Sequence, residues 1–339
     1  MAALHPDWLA AIDAAEILGP TRYRVLEQVR NVPAGEGEAP GSTQHRRRPP
    51  PPLLRAFEAE LYARLYVRPG LVEPARITPE ADRDFVIALS AANCGRGGWE
   101  PGWTIAAPTG VAGQIGVMKD GLIFRVAWHD VRASPGGLHA GKPCRVRIAK
   151  EFRNLMPHFY VAVGDGDTGE PEPRPAMRIY WHLTAEAAAP FISSVTQHLN
   201  AHGVPFRAKV LRAPQAYHRA DAGVLYLEPR WYRRAGNLLA IVYREVADGL
   251  RAETPLFARR LARGLAHAED PGNGQSFGQH RCHLVALAGW SSFARHETMR
   301  AARAATLAAI VRAAGLDPSR PHLGPGSRDY HAVKQALDG

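Results

Sequence analysis

The pattern of apolar and polar residues is clearest in the middle of the chain, where it predicts a strand, a helix and a second strand in succession. Residues 177–183 alternate with period two, which is typical of a strand with one buried face. From Thr184 onward, apolar residues recur at helical spacing until the His202-Gly203 pair, which ends the helix. Residues 204–211 then form the second strand. The sequence therefore predicts that a helix connects two strands of one sheet.

This unit brings polar residues together on one face of the sheet. Alternation places Arg178, Tyr180 and His182 on the face opposite to the apolar side chains of the first strand. Because the helix returns the chain at once, we expect the two strands to be parallel neighbours. Lys209 of the second strand would then lie close to His182.

Periodicity predicts further elements along the chain and an α+β fold, with a mixed central sheet flanked by helices. Predicted helices cover residues 53–67, 78–92, 231–248, 276–296, 301–314 and 329–337. Predicted strands cover residues 115–118, 122–126, 145–149, 159–163 and 262–269, and Lys119-Asp120-Gly121 marks a hairpin turn between the first two.

The same pattern divides the chain into three segments. Residues 1–31 are predicted to be a small helical N-terminal region, in which Trp8 and Ile12 belong to an apolar stripe. Residues 32–52 are rich in proline and arginine and have too few apolar residues to order themselves, so they are predicted to be a linker. Residues 53–339 are predicted to form the main domain.

Composition narrows the possible partners. The chain has 339 residues, of which 46% are hydrophobic and 22% charged, as in an ordinary globular protein. Its 42 lysines and arginines exceed its 32 acidic residues, and the net charge of +10 favours anionic partners. Without a recognisable nucleic-acid-binding motif, we expect no nucleic-acid partner. Without an apolar run of membrane-spanning length or a signal-peptide pattern, we expect a cytoplasmic protein that makes no membrane contact.

Neither a metal nor a cofactor is expected. Cys94, Cys144 and Cys282 lack the paired spacing of a zinc site and are predicted to be reduced thiols. The glycine-rich loop at residues 93–103 has neither a dinucleotide fingerprint nor a P-loop ending, and the acidic turn at residues 164–167 lacks EF-hand spacing. The chemistry is therefore expected to depend on side chains alone.

The candidate side chains form a cationic set that the predicted sheet would gather. Its members are Arg178, Lys209, Arg212, Arg219 and Arg281, with His182, His218 and His280 beside them. Guanidinium groups bind phosphate oxygens through paired hydrogen bonds, so phosphate suits this set. A lysine that is partly buried among cations gives up its proton more readily and can act as a general base.

These residue types suit the elimination of phosphate from a phosphorylated Ser or Thr. The reaction needs a base at the α-carbon, positive charge for the leaving phosphate, and an acid near the bridging oxygen. Lys209 is the candidate base, the arginines are candidate phosphate ligands, and His182 is the candidate acid. Taken singly, a lysine such as Lys209 is more often a surface residue and a histidine such as His182 is more often a hydrogen-bonded structural residue, so both interpretations stay open.

A series of short segments, taken in order, resembles the HopA-type family, which is named after a type III effector of plant pathogens. The segments span roughly residues 55–335 and are LYARLYVRPG, AANCGRGGWEPGW, PHFYVAVGD, MRIYWHLTAEAAAPFISSVTQHLN, VPFRAKVL, YHRADAGVLYL, TPLF, GLAHAEDPGNGQSFGQHRC and PHLGPGSRDYH. Members of this family occur in class V lanthipeptide and thioamitide pathways beside a separate phosphotransferase-like kinase. The resemblance implies that the kinase phosphorylates Ser or Thr of a precursor peptide and that this protein eliminates the phosphate, leaving dehydroalanine or dehydrobutyrine.

The order of His182 and Lys209 is also similar to that in phosphothreonine lyases and lanthipeptide-synthetase lyase domains, where the histidine is the acid and the lysine the base. Tyr180 stands where those lyases carry a second lysine, and His280 is an alternative acid. The resemblance implies Lys209 and His182 as catalytic residues, with a substrate-phosphate set of Arg219, Arg281, Arg178, His280 and Tyr217, the last of which could orient the lysine.

Two function classes follow from the sequence. The first is a metal-independent phosphoserine/phosphothreonine lyase with a phosphorylated precursor peptide and a kinase as partners. The alternative is a non-catalytic module that binds a leader peptide and the kinase, or an effector-like protein that binds host proteins. The two differ in whether the cationic set contains a competent base.

Overall fold

Runs of strands and runs of helices follow one another along the chain, and the sheets are antiparallel, which gives the predicted α+β fold. The computed structural model describes residues 3–33, 52–67, 79–108, 111–133, 137–156, 158–167, 176–328 and 332–338. Its helices are α1 (Pro6–Ala14), α2 (Pro52–Glu60), which continues into a π-helical turn (Leu61–Tyr66), α3 (Pro79–Ala92), α4 (Ala185–Ala201), α5 (Pro229–Arg234), α6 (Gly236–Val246), α7 (Phe277–Ala294), α8 (Arg300–Ala313) and α9 (Ala332–Asp338). Its strands are β1 (Ala15–Gly19), β2 (Arg22–Val25), β3 (Gln28–Asn31), β4 (Trp99–Pro108), β5 (Gln114–Lys119), β6 (Leu122–Ala127), β7 (Val131–Ala133), β8 (Pro143–Arg147), β9 (Glu151–Met156), β10 (Phe159–Val163), β11 (Met177–Trp181), β12 (Arg207–Leu211), β13 (Gly223–Leu227), β14 (Arg259–Ala262) and β15 (Leu265–Glu269).

The largest sheet has seven strands in the order β14-β15-β11-β13-β12-β10-β9, and every neighbouring pair is antiparallel. The prediction of a mixed sheet is therefore wrong. β11 and β12 run in the same direction, but they are not neighbours, because β13 lies between them and is antiparallel to both. Helix α4 connects β11 to β12 and passes over one strand position between them. The chain then turns back after β12, and β13 occupies that position.

α4 packs on one face of this sheet with the predicted spacing. Thr184 is its N-cap, and Phe191, Ile192, Val195 and Leu199 are completely buried. They join α3, α6 and the alternate sheet residues that include Ile179 and Trp181 in what we call the first core. The other face of the sheet, which carries Tyr180 and Val224, belongs to a second core.

The N-terminal segment differs from the prediction. The sequence predicts a helical region over residues 1–31, but only α1 is helical, and β1, β2 and β3 form a three-stranded antiparallel sheet. Tyr23 and Val25 have high strand propensity and are buried on one face. Leu26 has a left-handed φ of 55°, which suits the tight turn between β2 and β3. Residues 34–51 of the predicted linker lie outside the described residues.

α1 contributes to the second core together with the large sheet. The rings of Trp8 and Phe257 lie 4.4 Å apart, and Trp8 is completely buried. The backbone N–H of Phe257 donates to Asp7 Oδ2 at 2.9 Å. α2, α7 and α8 complete the second core, so helices cover the large sheet on both faces. None of the helices in the described residues is long and apolar enough to span a bilayer.

A separate five-stranded sheet has the order β6-β5-β4-β8-β7 and its own small core, which includes Ile105 and Val117. The predicted hairpin of β5 and β6 is confirmed. Asp120 and Gly121 connect the strands with φ values of 51° and 77°, as a two-residue turn requires. β6 is an edge strand of this sheet.

We predict that Trp8→Ala lowers the free energy of unfolding by about 3–5 kcal/mol, because it leaves a cavity against Phe257 in the second core. Urea unfolding measures this loss. Val29→Ala is the matched control, since Val29 is 42% exposed in the same segment, and it should change stability by less than about 0.5 kcal/mol. An equally small loss for Trp8→Ala would mean that α1 does not stabilise the second core.

Candidate active site

Lys209 is a half-buried residue on the sheet face of the second core. It lies opposite Val224 of β13, which lies opposite Tyr180 of β11. Its Nζ is 4.3 Å from the ring centre of Phe159 and 5.6 Å from that of Tyr226. Among the described residues, none forms a hydrogen bond or an ion pair with this amine. Lys209 is therefore held between aromatic rings without a counter-ion from that part of the chain.

Tyr226 connects Lys209 with Arg178. Arg178 lies opposite Tyr226, with its guanidinium carbon 5.2 Å from the ring centre. Arg178 Nε donates to Asp270 Oδ2 at 2.8 Å, and Nη2 donates to the same oxygen. Burial alone would lower the pKa of Arg178, but the phenols of Tyr180 and Tyr226 and the Asp270 carboxylate raise it above its ordinary value. These bonds use Nε and Nη2, and no described residue forms a hydrogen bond with Nη1.

Arg219 is held in the same way. Its Nε and Nη2 donate to the two carboxylate oxygens of Asp221, each at 2.9 Å. The hydroxyl of Tyr62 donates to Asp221 Oδ2 at 3.2 Å. Burial opposes the charged form of Arg219, but the Asp221 carboxylate outweighs it and raises the pKa of Arg219 above its ordinary value. As in Arg178, Nη1 of Arg219 does not take part in the bonds to the carboxylate.

The π-helical turn places two tyrosines over this face. The rings of Tyr62 and Tyr66 lie 5.0 Å apart, and Tyr66 meets Tyr180 edge-on at 6.5 Å. A Cβ at Gly278 would lie 2.3 Å from the ring of Tyr66, so the start of α7 can approach the tyrosine only because residue 278 is glycine. Tyr180 is thereby buried.

His182 is buried just beyond the end of β11 and is oriented by Glu253. Its Nδ1 lies 3.1 Å from the backbone carbonyl oxygen of Glu253 and 3.7 Å from Oε2 of the same residue. A carbonyl oxygen only accepts, so Nδ1 carries the proton and Nε2 is the atom that can exchange one. Nε2 is buried without a hydrogen-bond partner among the described residues. Burial lowers the pKa of His182, and the Glu253 carbonyl and carboxylate oppose this shift.

Lys209 and His182 lie on the same face but farther apart than the sequence predicts. Their strands are separated by β13, which is two strand spacings or about 10 Å. His182 also lies two residues beyond Tyr180, the residue in register with Lys209 through Val224. A substrate that meets both side chains would have to cross β13.

Arg281 and His280 occupy a different setting. Arg281 is completely buried, and its Nε and Nη2 donate to the carbonyls of Pro321 and Leu323 at 2.7 and 2.8 Å. Its Nη1 donates to Nδ1 of His280, so all three guanidinium nitrogens are occupied. Burial lowers the pKa of Arg281 to about 10, and burial together with Arg281 lowers that of His280 to about 4. His280 is therefore neutral near pH 7.

Tyr217 supports the strand of Lys209 from the opposite side of the sheet. Its ring is buried in the first core against Phe85, with ring centres 5.5 Å apart. Its hydroxyl donates to the carbonyl oxygen of Leu211, the last residue of β12, at 2.6 Å. Tyr217 therefore positions β12 and does not face the second core.

The sequence profile of the HopA1 effector protein family matches residues 151–323, just over half of the chain. The chain belongs to the HopA1 effector protein family. Two solved structures align with this HopA1-family chain. The effector protein from Pseudomonas syringae pv. tomato strain DC3000 has 18% identity and a TM-score of 0.47, over 79% of this chain and 90% of its own. The effector protein from Pseudomonas syringae pv. syringae strain 61 has 14% identity and a TM-score of 0.44, over 80% and 96%. No curated protein matches the chain.

Several residues around the candidate site were not predicted from the sequence. Tyr226 could have been found, because alternation along β13 places it on the face of Val224 and hence of Lys209. Glu253 could not, because it is 71 residues from His182 in a segment without periodicity. The remaining unpredicted residues are the partners of the arginines and the tyrosines above them: Asp270, Asp221, Tyr62 and Tyr66.

We predict that Glu253→Gln lowers the pKa of His182 further, because the substitution removes the carboxylate that opposes the effect of burial. Titration of the His182 ring by NMR measures the shift in the intact HopA1-family protein. Glu245→Gln is the control, since Glu245 accepts from His198 at 2.9 Å and should leave His182 unchanged. An unchanged His182 titration in Glu253→Gln would show that the carboxylate does not act on this imidazole.

Proposed function

We propose that this protein is a lyase that eliminates phosphate from phosphoserine or phosphothreonine of a precursor peptide phosphorylated by a partner kinase. The observation that carries the proposal is the setting of Lys209, an amine that has no counter-ion among the described residues. It shares the ring of Tyr226 with Arg178, which has Nη1 outside its carboxylate pair. A nucleophilic or basic amine beside a guanidinium suits a phosphorylated substrate.

In the proposed reaction, the amine of Lys209 accepts the proton from the α-carbon of the phosphorylated residue. The electron pair of that C–H bond forms the Cα=Cβ double bond, and the Cβ–O bond breaks with its electrons on the phosphate. Protonated His182 donates from Nε2 to the bridging oxygen as it leaves. The product ammonium of Lys209 is stabilised by the rings of Phe159 and Tyr226 and then releases its proton to solvent.

Arg178 and Arg219 are the proposed phosphate ligands. Each is fixed by a carboxylate through Nε and Nη2, which orients the guanidinium before the substrate arrives. Donors that need no reorientation stabilise developing charge most effectively. Arg281 differs, because protein acceptors use all of its nitrogens, and we assign it a structural role in place of the phosphate contact expected from the resemblance.

One observation favours the alternative, a module that binds phosphorylated peptide without reaction. Burial lowers the pKa of His182, so the imidazole is largely neutral near pH 7 and can donate a proton only from a minor protonated population. Elimination therefore requires either the minor protonated form of His182 or a bound substrate phosphate that increases the protonated fraction of His182. The two functions differ in the product, not in binding.

We predict that incubation with a synthetic phosphothreonine precursor peptide gives a product lighter by one phosphoric acid, as mass spectrometry would show. Lys209→Ala should reduce turnover at least about 100-fold, because the base is lost, while peptide affinity changes little. Lys142→Ala, at an exposed lysine, is the control with full activity. Recovery of the hydroxyl peptide would indicate a phosphatase. Bound but unchanged peptide with the wild-type protein would favour the binding module.

We further predict that Arg219→Ala weakens binding of the phosphopeptide about 10-fold or more, because a charge-assisted contact with the phosphate is lost. Fluorescence anisotropy with phosphorylated and unphosphorylated peptide measures the loss. Arg244→Ala, at an exposed arginine on α6, is the control and should bind normally. Unchanged affinity in Arg219→Ala would place the phosphate elsewhere.

A further inference from the structure

A further cation, Arg207, lies on the candidate-site face of β12. Side chains on one face of a strand are two residues apart, so Arg207 shares this face with Lys209, and the two Cα atoms are about 6.7 Å apart. Arg207 is exposed, whereas Lys209 is half-buried. The pairing of β12 with β13 places Arg207 opposite Tyr226. Arg207 is therefore at the rim of the site, next to the candidate base on the same strand face.

Tyr226 lies between two arginines in one row across the sheet. It is opposite Arg178 of β11 on one side and opposite Arg207 of β12 on the other. The row spans two strand spacings, so the Cα atoms of the two arginines are about 10 Å apart. The guanidinium carbon of Arg178 lies 5.2 Å from the ring centre of Tyr226. Long side chains reach across to neighbouring strands, so a group bound beside this ring is in reach of both arginines.

The surroundings of Arg207 contain no counter-ion from the described part of the chain. Its neighbours on this face are Val163 and Tyr226 on the adjacent strands and Lys209 on its own strand, and none of them has a carboxylate. No described residue forms a hydrogen bond or an ion pair with the guanidinium of Arg207. The side chain is therefore open to an anionic ligand on the side of the sheet where the candidate base lies.

The charge balance of the site distinguishes Arg207 from the other two arginines. Arg178 is bonded to the carboxylate of Asp270 and Arg219 to that of Asp221, so each pair offers hydrogen-bond donors with little net charge. A phosphate ester of Ser or Thr carries a charge of about −1.5 to −2 at pH 7. Positive charge that no carboxylate balances attracts such a group most strongly. Arg207 supplies this charge in the row of Arg178.

We propose that Arg207 is a substrate-binding residue that holds the phosphate of the phosphorylated Ser or Thr together with Arg178, beside the ring of Tyr226. Phosphate has enough oxygens to accept paired hydrogen bonds from two guanidinium groups. In this position the phosphate lies beside Lys209, which acts on the α-carbon of the same residue, and the charge of Arg207 stabilises the phosphate as it leaves. The assignment rests on the phosphorylated substrate of the proposed function, but not on the elimination step.

The affinities for a synthetic peptide with one phosphothreonine and for its unphosphorylated form test the assignment, and isothermal titration calorimetry of the full chain measures both. We expect Arg207→Ala to reduce the preference for the phosphorylated form about 10-fold, because the lost contact is to the phosphate alone. Arg260→Ala is the matched control and should keep the full preference. Arg260 is exposed on the same face of the sheet, in the row of Tyr180, but its strand β14 is four spacings or about 19 Å from β12.

An unchanged preference in Arg207→Ala overturns the proposal. An equal loss of affinity for both peptides also overturns it, because Arg207 would then contact the peptide chain and not the phosphate. A wild-type protein without preference for the phosphorylated peptide would remove both this assignment and the phosphorylated substrate. Elimination is followed separately by mass spectrometry. Bound but unreacted phosphopeptide would refute the lyase function alone, and the preference of Arg207→Ala would still decide the role of Arg207.

NMR of the arginine side chains tests the contact directly. The Nε–H signal of Arg207 is identified by its absence from the spectrum of Arg207→Lys, which keeps the positive charge but lacks the guanidinium fork. We expect this signal to shift when the phosphothreonine peptide is added and to stay in place with the unphosphorylated peptide. A signal that responds to neither peptide, or equally to both, overturns the proposal.

Discussion

The arrangement of the candidate site depends on one feature of the large sheet, the insertion of β13 between β11 and β12. β13 hydrogen-bonds both neighbours in antiparallel register and places Tyr226 beside Arg178 and Val224 between Lys209 and Tyr180. With parallel direct neighbours, Lys209 would face β11 without an aromatic ring in between. The insertion instead makes the site three strands wide, with Tyr226 contacting both cations.

Local patterns predicted the parts of the fold that depend on local interactions. The spacing of Phe191, Ile192 and Leu199 was sufficient for α4, and Lys119-Asp120-Gly121 was sufficient for the β5–β6 hairpin. The predictions that were wrong concern elements whose structure depends on pairing between residues far apart in the sequence. The region after α1 has apolar residues that suit either a helix or a hairpin, and contact with the second core selects the sheet of β1, β2 and β3. Neighbour relations among strands have no local signal, so the position of β13 was not predictable.

The candidate site shows the same division. Residue type and the alternation of side chains along a strand sufficed for placing Lys209, Arg178 and His182 on one face of the sheet. They did not identify the residues that bind these side chains. A guanidinium buried without an acceptor is costly, so each buried arginine requires one, and its identity depends on tertiary structure. Asp221 is two residues from Arg219, whereas Asp270 is 92 residues from Arg178. Arg281 is also an arginine, yet its Nε and Nη2 donate to backbone carbonyl oxygens and not to a carboxylate.

The segment between Gly249 and β14 contacts both the candidate acid and the N-terminal helix α1. Within it, Glu253 holds the imidazole of His182, and Phe257 packs on Trp8 and donates its N–H to Asp7. Phe257 has a left-handed φ of 71°, which is unfavourable for a bulky residue and persists only where surrounding contacts compensate for it. Asp7 and Trp8 supply such contacts. α1 and His182 therefore contact the same segment, because Phe257, which packs on α1, follows four residues after Glu253, whose carbonyl oxygen lies at the imidazole.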